Sequence, residues 1–282
     1  MGTIKNMINL DSNAYIVGGG IAGLAAAALL VRDGVISGKR IHIFEQLDNF
    51  GGSLDGAGDP QTGYVIRGGR MFESHFACTF DLFSTIPSVN QPDKSVTDEM
   101  RDFNACIKTS SKSRLVIAQN KIDAPPLGLS YRDRWALMKL ALRSEAAIAS
   151  TTIEQYFAPA FFDTNFWTMW CSMFAFQPWH SLIEFRRYMR RFMHLMPGLN
   201  RLEGIRRTPL NQYDSLVCPA LRYLEQQGVN LHAGAVVNDI DFSRGDGSLA
   251  MTGRTLEDTT GSRHISMVED DIAFVTLGSM TD

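Results

Sequence analysis

A chain of 282 residues with 45% hydrophobic and 20% charged side chains can bury a large core and hold one or two domains. Its net charge of −3 argues against a nucleic-acid partner. Four scattered cysteines, Cys78, Cys106, Cys171 and Cys218, form no C-x-x-C. That speaks against a zinc knuckle or a redox pair and suits reduced thiols in a cytoplasmic protein.

Residues 1–13 read as a polar arm. Ala14–Val17 then reads as a strand, followed by Gly18, Gly20 and Gly23 in the spacing G-x-G-x-x-G. The first glycine permits a tight turn, the second lets backbone approach a pyrophosphate, and the third lets a helix pack close on the strand. Ala25–Leu30 is helical by composition, with Gly34 at or past its end. The apolar run Ile21–Val31 is too short to span a bilayer. A second strand, Ile41–Phe44, ends at Glu45, 22 residues after Gly23, where a carboxylate can accept hydrogen bonds from an adenosine ribose. This constellation predicts a dinucleotide site on an α/β, Rossmann-like domain.

After Glu45 come Gly51-Gly52-Ser53-Leu54-Asp55-Gly56, and then Arg67-Gly68-Gly69-Arg70, Met71, Glu73 and His75-Phe76-Ala77-Cys78. A glycine pair so soon after the ribose acid resembles flavoproteins of the glutathione-reductase type. The whole block, G-G-S-L-D-G then R-G-G-R then H-F-x-C, resembles the oleate hydratases, the myosin-cross-reactive-antigen family. That resemblance implies an FAD-binding domain with an inserted, mostly helical substrate region. FAD contacts are expected from Gly18, Gly20, Gly23, Glu45, Gly51, Gly52, Ser53, Arg67, Gly68, Gly69 and Arg70. Family members are longer than this chain, so a fragment, a truncated product or a short member is expected.

Further on, Asp81–Pro87 reads as a short helix, Ser95 as a helix start, and Leu115–Ala118 as a strand. Tyr131–Ile148 reads as a helix with Trp135, Met138, Leu142 and Ala146 at core spacing. Residues 151–180 are dense in aromatic rings, which suits either a helical core or a long aliphatic ligand. The segments around Phe166-Trp167, Met173–Ser181 and Glu184–Tyr188 again resemble the hydratases. Leu182–Leu195 reads as a helix stopped by Pro197-Gly198, with Phe185, Tyr188 and Phe192 on one face. Thr208–Leu216 matches the family segment T-x-x-N-Q-Y-x-S-L, and a helix follows to Gln227. Strands at Val229–Ala233 and Ala235–Phe242 return to the nucleotide domain. A buried strand at Asp271–Ser279 resembles the second cofactor-contacting strand of this flavoprotein class, through Gly278 and Ser279. The patterning divides the chain into 1–80 with 210–282 for FAD and 81–209 for substrate.

The resemblance implies addition of water across the cis double bond of a long-chain unsaturated fatty acid, with FAD present and no net flavin redox change. In the family a tyrosine supplies the proton and a glutamate orients the water. The tyrosine carries over onto Tyr188, and Gln212 matches a position near the substrate. The glutamate does not carry over: its place directly after Arg-Gly-Gly-Arg is Met71, and a thioether cannot take a proton from water. Glu73 is one substitute, since i and i+2 share a face in an extended segment. Backbone groups and flavin holding the water are a second answer, and no hydration at all is a third. A flavin redox enzyme and a non-catalytic FAD- or fatty-acid-binding chain are the rival functions. Peripheral membrane contact is left open, and His75, His180 and His194 lack the spacing of a compact metal site.

Overall fold

The computed structural model describes residues 12–65, 71–111, 114–123, 127–244, 249–259, 261–268, 270–276 and 278. In chain order the elements begin with β1 (Ala14–Val17), α1 (Ile21–Arg32) and β2 (Ile41–Phe44). A small hairpin follows, β3 (Gly58–Asp59) with β4 (Gly63–Tyr64), then α2 (Ala77–Phe83) and α3 (Val96–Cys106). A second hairpin, β5 (Arg114–Ile117) with β6 (Asn120–Asp123), leads into α4 (Tyr131–Leu142), α5 (Ile153–Tyr156), α6 (Asn165–Phe174) and α7 (Leu182–Phe192). The chain continues through α8 (Cys218–Gln226), β7 (Asn230–His232), β8 (Val236–Arg244), β9 (Leu249–Asp258), β10 (Gly261–Ser266) and β11 (Ile272–Val275).

These elements form two compact units, one from 1–107 with 206–282 and one from 108–205. The second unit runs from 108 to 205, which leaves α2 and α3 in the first. Phe80, Leu82 and Phe83 of α2 and Val96 and Met100 of α3 pack into the same apolar cluster as Leu24, Ala27 and Ala28 of α1. Burial of those side chains keeps α2 and α3 with the first unit. The α3 start is as read: the Ser95 side chain accepts from the Asp98 amide.

The first unit is built on a four-stranded parallel sheet in the order β11-β1-β2-β7. Alternation along the strands decides its two faces. Ala14, Ile16, Ile41 and Ile43 are buried in the cluster that holds α1 and the α8 residues Ala220 and Leu224. Tyr15, His42, Phe44 and His232 stack with one another on the opposite face. The antiparallel sheet β10-β9-β8 supplies Leu256 and Arg254 to that face. Arg254 is fully buried, with its guanidinium carbon 3.7 Å from the Tyr15 ring centre and 4.8 Å from that of Phe44. Its charge is stabilised by two ring faces, and its guanidinium nitrogens have no hydrogen-bond partner among the described residues. The strand β11, expected to be buried, lies at the sheet edge, and Phe274 and Val275 are exposed.

In the second unit the aromatic segment forms its own core. Phe157, Phe161, Phe166, Trp167, Trp170, Phe176 and Phe185 are buried and touch ring to ring. The α4 helix departs from the sequence reading twice. Its core face is Ala136, Leu137, Leu140 and Ala141, while Trp135, Met138 and Leu142 are exposed. It ends at Leu142, where the buried Arg186 of α7 donates to the carbonyls of Leu140 and Ala141. A cation bonded to the last carbonyls closes a helix favourably. Pro197 does not stop the chain's coiling: a tight 3₁₀ stretch runs through it from Met193 to Arg201.

The His42 Nδ1 and His232 Nε2 atoms lie 3.2 Å apart under Arg254. Burial pushes both imidazoles below their ordinary value, and the nearby cations Arg254 and Arg263 add to it, with Asp271 and Asp258 opposing. The unfolded chain then binds more protons than the folded one below about pH 6.5, so stability falls as pH drops. Urea midpoints measured from pH 8 to pH 5 are expected to decline from about pH 6.5 downward. Arg254→Met should flatten that decline, because it removes a charge that lowers both imidazoles.

Candidate functional site

The described glycine segments converge in the first unit. Gly18 leaves β1 with its amide donating to the Phe44 carbonyl at 2.8 Å and with φ at +98°. A Cβ there would strike the hydroxyl and carbonyl of Thr276. Thr276 in turn donates from its hydroxyl to the Val17 carbonyl at 2.8 Å, so the strand end after β11 holds the turn shut. Gly23 lies against the Gly18 carbonyl with no room for a Cβ, which lets α1 start directly above β1. Gly20 is the N-cap of α1, with no side-chain cap and no acidic residue in the first turn. The helix itself therefore places neither a capping side chain nor an acid on its first-turn amides, as a phosphate site needs.

The second glycine pair packs on the first. The Gly51 amide donates to the Gly19 carbonyl at 2.9 Å, and Gly20 and Gly51 form a parallel bridge. Gly52 sits against the Cα of Gly20, and Ser53 follows in a short 3₁₀ turn. Glu45 locks the arrangement. Its Oε2 accepts from the Gly19 amide at 2.7 Å and its Oε1 from the Leu47 amide at 2.9 Å, and the side chain is buried. A carboxylate oxygen accepts more than one hydrogen bond, so acceptor capacity for a ribose hydroxyl is retained.

Asn211 caps the turn that Gln212 opens. Its Oδ1 accepts from the Asp214 amide at 2.9 Å, and the Leu210 amide donates to the Ser215 hydroxyl at 3.2 Å. Tyr213–Val217 is a π-helical turn, and Pro219 follows it. Proline cannot donate to the carbonyl four residues back and clashes with it, so a widened turn upstream relieves the conflict. Tyr213 lies over Gly56, which joins this segment to the glycine loop. Sequence periodicity carries no signal for a π turn.

Met71 is 40% exposed, whereas Glu73 is 1% exposed. They do not share one environment, because the chain turns just after Phe72 pairs with Arg206. The Glu73 Oε2 accepts from the His75 amide at 2.9 Å and lies 2.8 Å from its Nδ1. Tyr188 belongs to the second unit. It stands exposed on α7, edge-on to Phe174 and Phe176 and tilted to Phe192. Gly278, with φ at +82°, follows Thr276. Arg67, Gly68, Gly69, Arg70 and Ser279 lie outside the described residues. Thr276 is the contributor that motif reading missed; its place two residues before Gly278 is the only sequence signal.

A family description reading MCRA family matches residues 11–282. An oleate hydratase of Streptococcus pyogenes serotype M49 (strain NZ131) is 40% identical over 275 residues, covering 96% of this chain and 46% of that protein. A linoleate hydratase of Lactiplantibacillus plantarum is 34% identical over 298 residues, covering 97% of this chain and 52% of that one. The chain thus spans about half the length of these relatives. Among solved structures, a redesigned putrescine oxidase matches with a TM-score of 0.57 at 14% identity, covering 90% of this chain and 56% of that one. An oxidoreductase of Methanosarcina mazei matches with a TM-score of 0.55 at 14% identity, covering 94% and 59%. These likenesses show a shared α/β, Rossmann-like fold.

Gly23→Ala is expected to destabilise the chain by about 1–3 kcal/mol, because the added methyl meets the Gly18 carbonyl and forces α1 off β1. Urea denaturation of the two proteins side by side measures it.

Proposed function

The chain belongs to the MCRA family, and from that membership we propose that it takes part in FAD-dependent hydration of the cis double bond of a long-chain unsaturated fatty acid. The observation that carries the reading is the 40% identity, across 96% of the chain, to a protein named an oleate hydratase. The glycine cradle supports the cofactor half. Backbone without Cβ atoms at Gly18, Gly20, Gly51 and Gly52 borders an uncapped helix start, which fits a pyrophosphate. On this reading the α1 amides hold the pyrophosphate, and Glu45 accepts from the adenosine ribose. Gly51, Gly52, Ser53 and Gly278 then line the path of the cofactor, with Arg67, Gly68, Gly69, Arg70 and Ser279 contributing from outside the described residues. Bound flavin supplies a fixed polar surface beside the positive charge that develops on an alkene carbon.

An isolated alkene is a poor base, so a proton donor must be held against it away from bulk water. Tyr188 takes that role. Its O–H breaks as a C–H bond forms on one alkene carbon, and the oxygen of water bonds to the other carbon. A proton lost from that water restores the phenol. Phe174, Phe176 and Phe192 around the Tyr188 ring present apolar surface suited to an aliphatic chain. Gln212 is assigned to the substrate side. The water is assigned to backbone groups and flavin, since the family glutamate is replaced by Met71. Glu73 is a poor replacement for the family glutamate, since its side chain is buried and one oxygen is engaged by His75. Met71 also favours a second reading, a chain that binds FAD and fatty acid without converting it.

Full-length protein loaded with FAD and incubated with oleate in heavy-oxygen water should yield a hydroxy fatty acid carrying one labelled oxygen. Binding of both ligands without product selects the second reading, and bleaching of the flavin by oleate under anaerobic conditions overturns both. Tyr188→Phe should lower turnover at least about 100-fold, the usual contribution of a general acid. If backbone groups and flavin orient the water, Met71→Glu should change turnover by less than about 10-fold.

A further inference from the structure

We propose that α4 is a membrane-docking helix, which lays its outward apolar stripe into the interface of an anionic lipid surface. Tyr131, Trp135, Met138 and Leu142 stand at i, i+4, i+7 and i+11 and are 74%, 44%, 56% and 87% exposed. At 3.6 residues per turn they fall within a sector of about 60°. The stripe cannot turn inward. Ala136, Leu137, Leu140 and Ala141 occupy the opposite face in the core, and Arg186 holds the last carbonyls of the helix. Tyr131 and Trp135 already meet edge to face, with ring centres 6.0 Å apart.

The charges beside the stripe select its partner. Arg132, Lys139 and Arg143 lie along one flank and Arg134 along the other, all exposed. The single acid of the helix, Asp133, is engaged in a capping box with Ser130. This is a basic strip on a chain whose net charge is −3. A second copy docked face to face about a twofold axis would set these four cations against themselves. An anionic membrane satisfies both features: apolar and aromatic side chains enter the headgroup–acyl boundary while the cations meet lipid phosphates. Contact of this kind is peripheral, and among the described residues no helix is long and apolar enough to cross a membrane. The inference does not depend on the hydration reading.

Co-sedimentation of the full chain with phosphatidylglycerol–phosphatidylcholine vesicles, against phosphatidylcholine alone, tests it without fatty acid or FAD. Binding is expected to the anionic vesicles and to weaken with salt. Met138→Gln/Leu142→Gln should reduce partitioning at least about tenfold, and Arg134→Gln or Lys139→Gln about fivefold each. All these side chains are exposed, and an unchanged thermal melt identifies variants that keep the fold. Equal binding to both vesicle types, or binding indifferent to the substitutions, overturns the proposal. So does a dimer in sedimentation velocity that Met138→Gln/Leu142→Gln dissolves, which would assign the stripe to a second copy. Retention of an acidic protein on the strip, with no vesicle binding, also overturns it.

Discussion

The glycine cradle of the first unit rests on the approach of Gly20 to Gly51, backbone against backbone. The two glycines are distant in sequence, yet the Gly51 amide reaches the Gly19 carbonyl and no side chain intervenes. Three other contacts depend in the same way on backbone without a Cβ or on a tight turn. Glu45 can accept from the Gly19 amide only if the turn is tight, and Thr276 can cap the Val17 carbonyl only if Gly18 takes a left-handed conformation. The α1 helix can begin above β1 only if Gly23 yields to the Gly18 carbonyl. A methyl group at Gly18 or Gly23 would collide with backbone, which moves far less easily than the end of a flexible side chain. A cofactor cradle made of backbone therefore has few alternatives in sequence, which is why its motif can be read so early.

The reverse face of the same sheet follows a different logic. Tyr15, His42, Phe44 and His232 would be unusual in the hydrophobic centre of a parallel sheet. They are accommodated because Arg254 comes from another sheet to lie on two of the rings, while the two imidazoles pair. A buried cation against aromatic faces is held by the quadrupoles of those rings. The price is sensitivity to further positive charge, since a proton on either histidine would sit beside an arginine.

The second unit is held by a crowd of rings and, at the end of α4, by the buried Arg186. Arg186 points inward from α7 to the end of α4, while its neighbour Arg187 pairs outward with Glu145 at 2.7 Å. Both arginines reach Glu145, Arg186 at 3.6 Å, and Arg186 also closes the end of α4 from its inward position on the helix. The same inward anchor leaves the far side of α4 apolar and open.

Glycine spacing, the acid after β2 and the cap at Ser95 were legible from residues alone, because each is a local conflict with one steric or hydrogen-bonding solution; the capping box at Ser130 came only with the structure. The β-α-β frame followed from the strand, glycine and helix pattern, and the helical insertion from the family resemblance. Placement was harder. Helix α4 is apolar on two faces, so periodicity offered Trp135, Met138 and Leu142 as core when Ala136, Leu137 and Leu140 take that role. Residues 81–107 look helical either way, and only their packing on α1 gives them to the first unit. The burial of Glu73, the edge position of β11 and the π turn beside Gln212 share this origin. Short-range chemistry says what each segment can be; which of its faces is covered depends on segments far along the chain, and that is settled when they fold against one another.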